Sequence, residues 1–188
     1  MPFKVENQAM NKRISPLDIP LQGKKIEFEL QESDLPRLKE EATPHLVLCR
    51  ANLKAVGDQV SMEASYQASL SKTCDCCLKQ TKLELHGEFR LTLLPQYLQQ
   101  REQPGEGEIT AEMADIDYYD GKEINLGPYF EDQIFLDLPF RIECSDDCQG
   151  ICPQCGKDLN KSSCECEEPS VTRPFANLQN LIQTTQEK

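Results

Sequence analysis

The stretch CSDDCQGICPQCGKDLNKSSCEC, residues 144–166, holds six of the chain's ten cysteines, and no other feature restricts the fold as strongly. Few large apolar side chains lie in or beside it, Ile142, Ile151 and Leu159 being the main ones. Such a segment cannot build a hydrophobic core of its own, so its cysteines must supply the order, as metal ligands or as disulfides. Size does not demand disulfides: 188 residues, 38% of them hydrophobic, suffice for one ordinary core. The opening MPFKVENQAMNKRISPLDIP has no apolar run of signal-peptide length, and no run of about 18 apolar residues occurs elsewhere, so a soluble, cytoplasmic chain with no membrane contact is expected. In a reducing compartment thiols stay free, and a cysteine-dense segment reads as a metal site.

The spacing then gives geometry. Cys152-Pro-Gln-Cys155-Gly156 has the form of a knuckle, in which two intervening residues aim both sulfurs at one centre and Gly156 takes the positive φ of the turn. Cys164-Glu-Cys166 follows after a short loop and supplies two more thiolates, completing a closed tetrahedral set suited to zinc. A second quartet is open to Cys74, Cys77, Cys144 and Cys148, although either pair could serve the first site and Cys76 could compete with Cys77. One zinc is therefore expected, with a second possible from the cysteine count. A redox role for Cys74 and Cys77 would need a helix start in a βαβ setting, whereas the motif sits between two strand patterns. Cys49, in the apolar HLVLCRA, reads as a buried core thiol.

Catalytic groupings are scarce. His45 and His86 have no neighbouring motif that would recruit them, and no phosphate-cradling loop, nucleophile elbow or HExxH helix is present, so no enzyme is expected.

Periodicity predicts a strand-rich body. KKIEFEL alternates apolar and charged residues, and SDLPRLKEEA reads as a short helix capped by Ser33 or Asp34. HLVLCRANLKAVG, QVSMEASYQASLS and KLELHGEFRLTLLP alternate over strand length, with Gly57-Asp58 as the turn between the first two, and an antiparallel meander joins them most simply. The acidic segment at about residues 99–120 is expected to be a loop with little structure. PYFEDQIFLDLPF reads as a helix with Pro128 in its first turn, Phe130, Ile134 and Leu138 on one face and Pro139 as its stop; Thr172 opens a last helix with Phe175, Leu178 and Ile182. The predicted class is α+β: an antiparallel sheet or partly open barrel with a few short helices, plus a zinc-ribbon-like cysteine tail. Residues 1–142 form the body and residues 143–188 the metal-binding tail.

Twenty Lys and Arg against 32 Asp and Glu give a net charge of -12, which repels phosphate and argues against affinity driven by direct RNA contact. Lys24 and Lys25 are too few to reverse this and read as a solvated strand edge. The acids Glu102, Glu106, Glu108, Glu112, Asp115, Asp117 and Asp120 suit either a basic protein partner or a solubilising linker with no partner.

CDCCL, INLGPYFEDQIFLDLPF and the cysteine tail together resemble the YceD family of large ribosomal RNA subunit accumulation proteins. The family pattern has a central Cys-x-Arg-Cys-Leu, an acidic element leading into a helix with a Glu and a closing Leu-Pro, and in many members a tail of two further cysteine clusters. It falls here on Cys74, Cys77 and Leu78; on Ile124, Leu126, Glu131, Ile134, Leu138 and Pro139; and on Cys144, Cys148, Gly150, Cys152, Pro153, Cys155, Gly156, Leu159, Asn160, Cys164 and Cys166. The chain departs from the pattern at Cys76, where the family has arginine, which removes a cation beside the thiolates, and at Ile151, where it has leucine. The resemblance implies a non-enzymatic ribosome-biogenesis factor acting on a ribosomal precursor particle through a basic ribosomal or processing protein. The other function class is a thiol-based redox or metal-transfer protein using the CxxC pairs.

Overall fold

The alternation in the sequence builds long strands. In the computed structural model, which describes residues 12–99 and 115–166, β1 (Arg13–Ile14) precedes β2 (Lys24–Leu30), and helix α1 (Pro36–Glu41) leads into β3 (Thr43–Val56). β4 (Gln59–Thr73) returns through Gly57 and Asp58, where Gly57 adopts the left-handed φ of 61° that the tight turn requires. β5 (Gln80–Pro95) runs antiparallel to β4, and α2 (Gln96–Gln99) follows it. The described chain resumes with β6 (Ile116–Tyr119), β7 (Ile124–Asn125) and α3 (Gly127–Leu136). The main sheet has the order β2-β3-β4-β5-β6 and is open, with β2 and β6 at its ends; β1 and β7 form a separate two-stranded ladder. Of the two expected forms, the sheet is thus realised and the barrel is not. Among the described residues no helix is long and apolar enough to cross a membrane.

One face of the sheet carries the core. Cys49, Ala51 and Leu53 on β3 and Val60, Met62, Ala64, Tyr66, Ala68 and Leu70 on β4 point inward, and α3 lays Phe130 and Ile134 across them. Phe130 meets Phe28 and Phe89 edge-on, with ring centroids 5.4 and 5.2 Å apart. Complete burial of one such side chain contributes about 2–3 kcal/mol. Burial pushes the Cys49 thiol far above its ordinary range, as befits a core residue. His45 is exposed and shares a hydrogen bond with Ser71 at 2.9 Å, and His86 is exposed on β5. Lys25 is exposed on β2, the outermost strand on that side.

Two expectations need correction. The acidic segment does not stay irregular to residue 120: Ile116–Tyr119 is β6, parallel to β5 in register Thr92↔Ile116, and the Tyr119 hydroxyl donates to the Asp58 carbonyl at 2.6 Å. Ile116, Tyr118 and Tyr119 supply β-propensity that the flanking acids mask in a composition reading. Neither Ser33 nor Asp34 caps α1. The Asp34 carboxylate instead accepts the Gln31 N–H at 2.8 Å, within a 3₁₀ turn over Glu32–Asp34. The α1 amides of Arg37 and Leu38 donate to Glu131 Oε1 on α3, at 2.7 and 3.0 Å. The acids Glu102, Glu106, Glu108 and Glu112 and the expected helix from Thr172 lie outside the described residues.

The register of β4 and β5 ends at Thr73↔Gln80. The short loop that closes this hairpin, residues 74–79, carries the central cysteines.

Candidate metal centres

That loop folds as a knuckle. The Cys74 N–H donates to the Lys79 carbonyl at 2.8 Å, and the Leu78 N–H donates to the Cys74 carbonyl at 3.0 Å. Cys152–Lys157 repeats the pattern: Cys152 N–H to the Lys157 carbonyl at 2.8 Å, Gly156 N–H to the Cys152 carbonyl at 2.9 Å. The residue after the second cysteine is left-handed in both, with φ 61° at Leu78 and 71° at Gly156. Glycine adopts this readily; leucine does so at a cost of about 1–2 kcal/mol. The requirement is legible in the sequence at Gly156 and not at Leu78, the one non-glycine residue with positive φ among those described.

Each knuckle lowers its leading thiol. Backbone N–H groups of Cys77, then of Cys76 and Cys144, bring the Cys74 pKa down to about 6, with the Cys144 N–H 3.3 Å from the Cys74 sulfur. Those of Cys155 and Gln154 bring Cys152 to about 6 as well. Thiolate is therefore favoured at one position in each loop at neutral pH.

The tail closes both sites. Asp75 grips Ile142 from both sides, its Oδ2 accepting the Ile142 N–H at 2.7 Å while its own N–H donates to the Ile142 carbonyl at 2.8 Å. With the Ile142 side chain buried, this clamp sets Cys144 beside the knuckle, and a turn from Ser145 brings in Cys148. Cys77 and Cys144 sulfurs then lie 3.5 Å apart, and those of Cys74 and Cys148 3.9 Å. In the second loop an antiparallel bridge, Ile151↔Asp158, returns the chain so that Cys164 and Cys166 reach Cys152 and Cys155. The eight candidate ligands thus form two separate groups of four, Cys74/Cys77/Cys144/Cys148 and Cys152/Cys155/Cys164/Cys166, with all sulfurs of a group within 4.8 Å of one another. No ligand pair is shared.

These distances fit a metal ion. Four thiolates at 2.3 Å around a tetrahedral centre stand about 3.8 Å from one another, far beyond a disulfide bond, and all ten cysteines are free. The donor set also calls for a cation. Contact with Cys155 and burial push Cys166 up to about 12, because four sulfurs this close cannot all carry charge unaided. Each quartet can hold a metal ion, consistent with zinc, as a closed cross-link.

The two centres touch. The Ile151 N–H donates to the Cys76 carbonyl at 3.1 Å, and a Cβ at Gly150 would stand 2.9 Å from that oxygen, so only glycine allows the approach. Cys76 itself joins neither quartet. Its sulfur accepts a hydrogen bond from Arg141 at 3.0 Å, and Arg141 also pairs with Glu143 at 2.8 Å. A guanidinium therefore does stand beside this knuckle, contributed from the far end of the sequence.

A model of the family described as large ribosomal RNA subunit accumulation protein YceD matches residues 62–182. The chain belongs to the YceD family. The YceD match takes in both knuckles, α3 and the cysteine tail. Two similar proteins, from Arabidopsis thaliana and Zea mays, are each named large ribosomal RNA subunit accumulation protein YCED homolog 1, chloroplastic. The first is 31% identical over 67 residues, 36% of this chain and 21% of that protein; the second is 37% identical over 51 residues, 27% and 17% respectively. The chain therefore spans about a fifth of the length of these relatives. No solved structure matches the chain.

Proposed function

We propose that this YceD chain is a non-enzymatic factor in large-subunit ribosome biogenesis, a binding module braced by zinc. The family match over residues 62–182 carries this reading, together with the relatives' names, which speak of large ribosomal RNA subunit accumulation. Zinc suits the chemistry: four thiolates close a tetrahedral site and leave no coordination position for a reacting water. In this role the metals fix the loops 74–79 and 144–166 against each other, and the rigid end of the molecule offers exposed apolar contacts at Leu78, Leu136 and Phe140.

The partner is a basic ribosomal or processing protein on the precursor particle rather than naked RNA. A chain of net charge -12, made more negative by eight thiolates, is steered toward cations and away from phosphate. Its place of work is wherever ribosomes assemble, the cytoplasm on the sequence reading, while the named relatives are chloroplastic. The test is depletion in the native cell followed by measurement of large- and small-subunit ribosomal RNA. Loss of the large-subunit RNA alone, restored by the wild-type chain and not by Cys77→Ser, is the expected result. Unchanged RNA levels after complete depletion overturn the proposal.

A further inference from the structure

β5 is covered on its outer side by β6 only from Thr92 to Pro95; among the described residues, no strand pairs with Gln80–Leu91 on that side. The Thr92 N–H donates to the Asp115 carbonyl, so it points away from β4. Backbone groups alternate along a strand, and therefore those of Arg90, Glu88, His86 and Glu84 face the open edge. An edge of this length offers a ladder of unmet donors and acceptors to another strand. Its inward side chains Leu83, Leu85, Phe89 and Leu91 are only half-buried, and an open cleft of about 850 Å³ adjoins it at Glu88–Leu91.

The sequence along this edge, LELHGEFRL, reads as its own complement about Gly87. In an antiparallel pairing of two copies centred there, Leu83 stands opposite Leu91′, Glu84 opposite Arg90′, Leu85 opposite Phe89′ and His86 opposite Glu88′, the primes marking the second copy. Two-fold symmetry repeats each pair. The exposed row then sets Glu84 against the oppositely charged Arg90′ and the His86 imidazole, a hydrogen-bonding group, against Glu88′, and the inward row matches apolar side chains. Gly87 faces itself at a non-hydrogen-bonded position, where the backbones approach most closely; within the chain the glycine is already required, because a Cβ there would stand 2.6 Å from the Tyr66 ring and 2.7 Å from the Asp137 carboxylate. Centring on His86 instead would set Glu84 against Glu88′ and Lys82 against Arg90′, two repulsions on each side. The nine-residue ladder Leu83–Leu91 also stops one residue short of Thr92, where β6 begins.

We propose that this edge is a self-association surface, on which a second copy of the chain docks β5 to β5 antiparallel about Gly87 and joins the two sheets. The inference rests on the fold alone and is independent of the ribosomal role. The full-length, reduced, metal-loaded protein is to be examined by sedimentation equilibrium at physiological salt, which screens the repulsion between two acidic chains. A dimer is expected at about 100 µM or below. Glu84→Arg and Arg90→Glu each set like charges opposite one another twice per dimer and should weaken association about tenfold or more. Mixing the two variants in equal amounts should restore it, because each supplies the charge the other now needs. A wild-type chain that stays monomeric at about 100 µM leaves the edge to some other partner and overturns the proposal. Single variants that associate as tightly as wild type, or a mixture that associates no better than they do separately, overturn it too.

Discussion

Asn160 lies in the loop of the second quartet, yet its Nδ2 donates to Cys148 Sγ of the first at 3.6 Å while its Oδ1 accepts the Gln149 N–H at 2.8 Å. The side chain is also held from within its own loop by the Asp158 carboxylate, Nδ2 donating to Asp158 Oδ1 at 3.0 Å. A candidate ligand of one centre is thus oriented by a residue from the loop of the other. Partners of this kind set the direction and basicity of a metal ligand, and their loss commonly lowers metal affinity tenfold or more. Asn160→Ala should therefore speed chelator extraction of metal from the first quartet by about tenfold. The measurement follows alkylation of Cys74, Cys77, Cys144 and Cys148 during chelation of the protein with both quartets loaded; exposure of these four at the unchanged rate would remove Asn160 from the site.

A second expectation follows from where the ten cysteines lie. Eight sit in the quartets, Cys49 is buried in the sheet, and Cys76 alone is both partly accessible and outside a metal set. Brief treatment of the metal-loaded protein with iodoacetamide should mark Cys76 and spare the rest, and a chelator should open the eight to reaction while Cys49 waits for unfolding. Rapid labelling of Cys74 or Cys77 before chelation would favour the thiol-transfer reading over a structural one.

The sequence made the second loop legible because its determinants are local: CPQCG contains both cysteines and the glycine that the turn demands. The same is true of β3 and β4, whose alternation and Gly57-Asp58 turn reach no further than their neighbours. The grouping of Cys74 and Cys77 with Cys144 and Cys148 was legible only as one option among several, since what brings Cys144 to them is a pair of hydrogen bonds between Asp75 and Ile142, residues 67 apart. β6 was hidden for a related reason. A parallel partner needs no turn signal, and its acidic surroundings suggest a loop.

Glu131 shows how a long-range contact replaces a local cap. The residue is 4% exposed, and its carboxylate serves the first amides of α1, which Leu35, the residue at the capping position, cannot satisfy with its side chain. Glu131→Leu keeps the bulk but strands two amides, at about 1–3 kcal/mol for each that is buried. The predicted loss is about 2–4 kcal/mol by urea unfolding, with Glu131→Gln losing about 1 because an acceptor oxygen remains. A Leu variant as stable as wild type would show that water reaches α1 and that the carboxylate is not its cap.

Leu78 separates stability from function most sharply. Its left-handed backbone carries strain, and its side chain is 62% exposed, so little burial offsets that cost. The equivalent position in the second knuckle is Gly156, which bears no such strain. Leu78→Gly should therefore leave metal content unchanged and keep or raise resistance to unfolding, by up to about 1 kcal/mol once the added freedom of the unfolded glycine is subtracted. If the leucine is nonetheless a contact on the ribosomal precursor, the same variant should fail to restore large-subunit RNA in depleted cells, although it folds and binds metal as well as wild type. Full restoration of that RNA by Leu78→Gly would strip the side chain of any docking role and leave Leu136 and Phe140 as the apolar contacts to test.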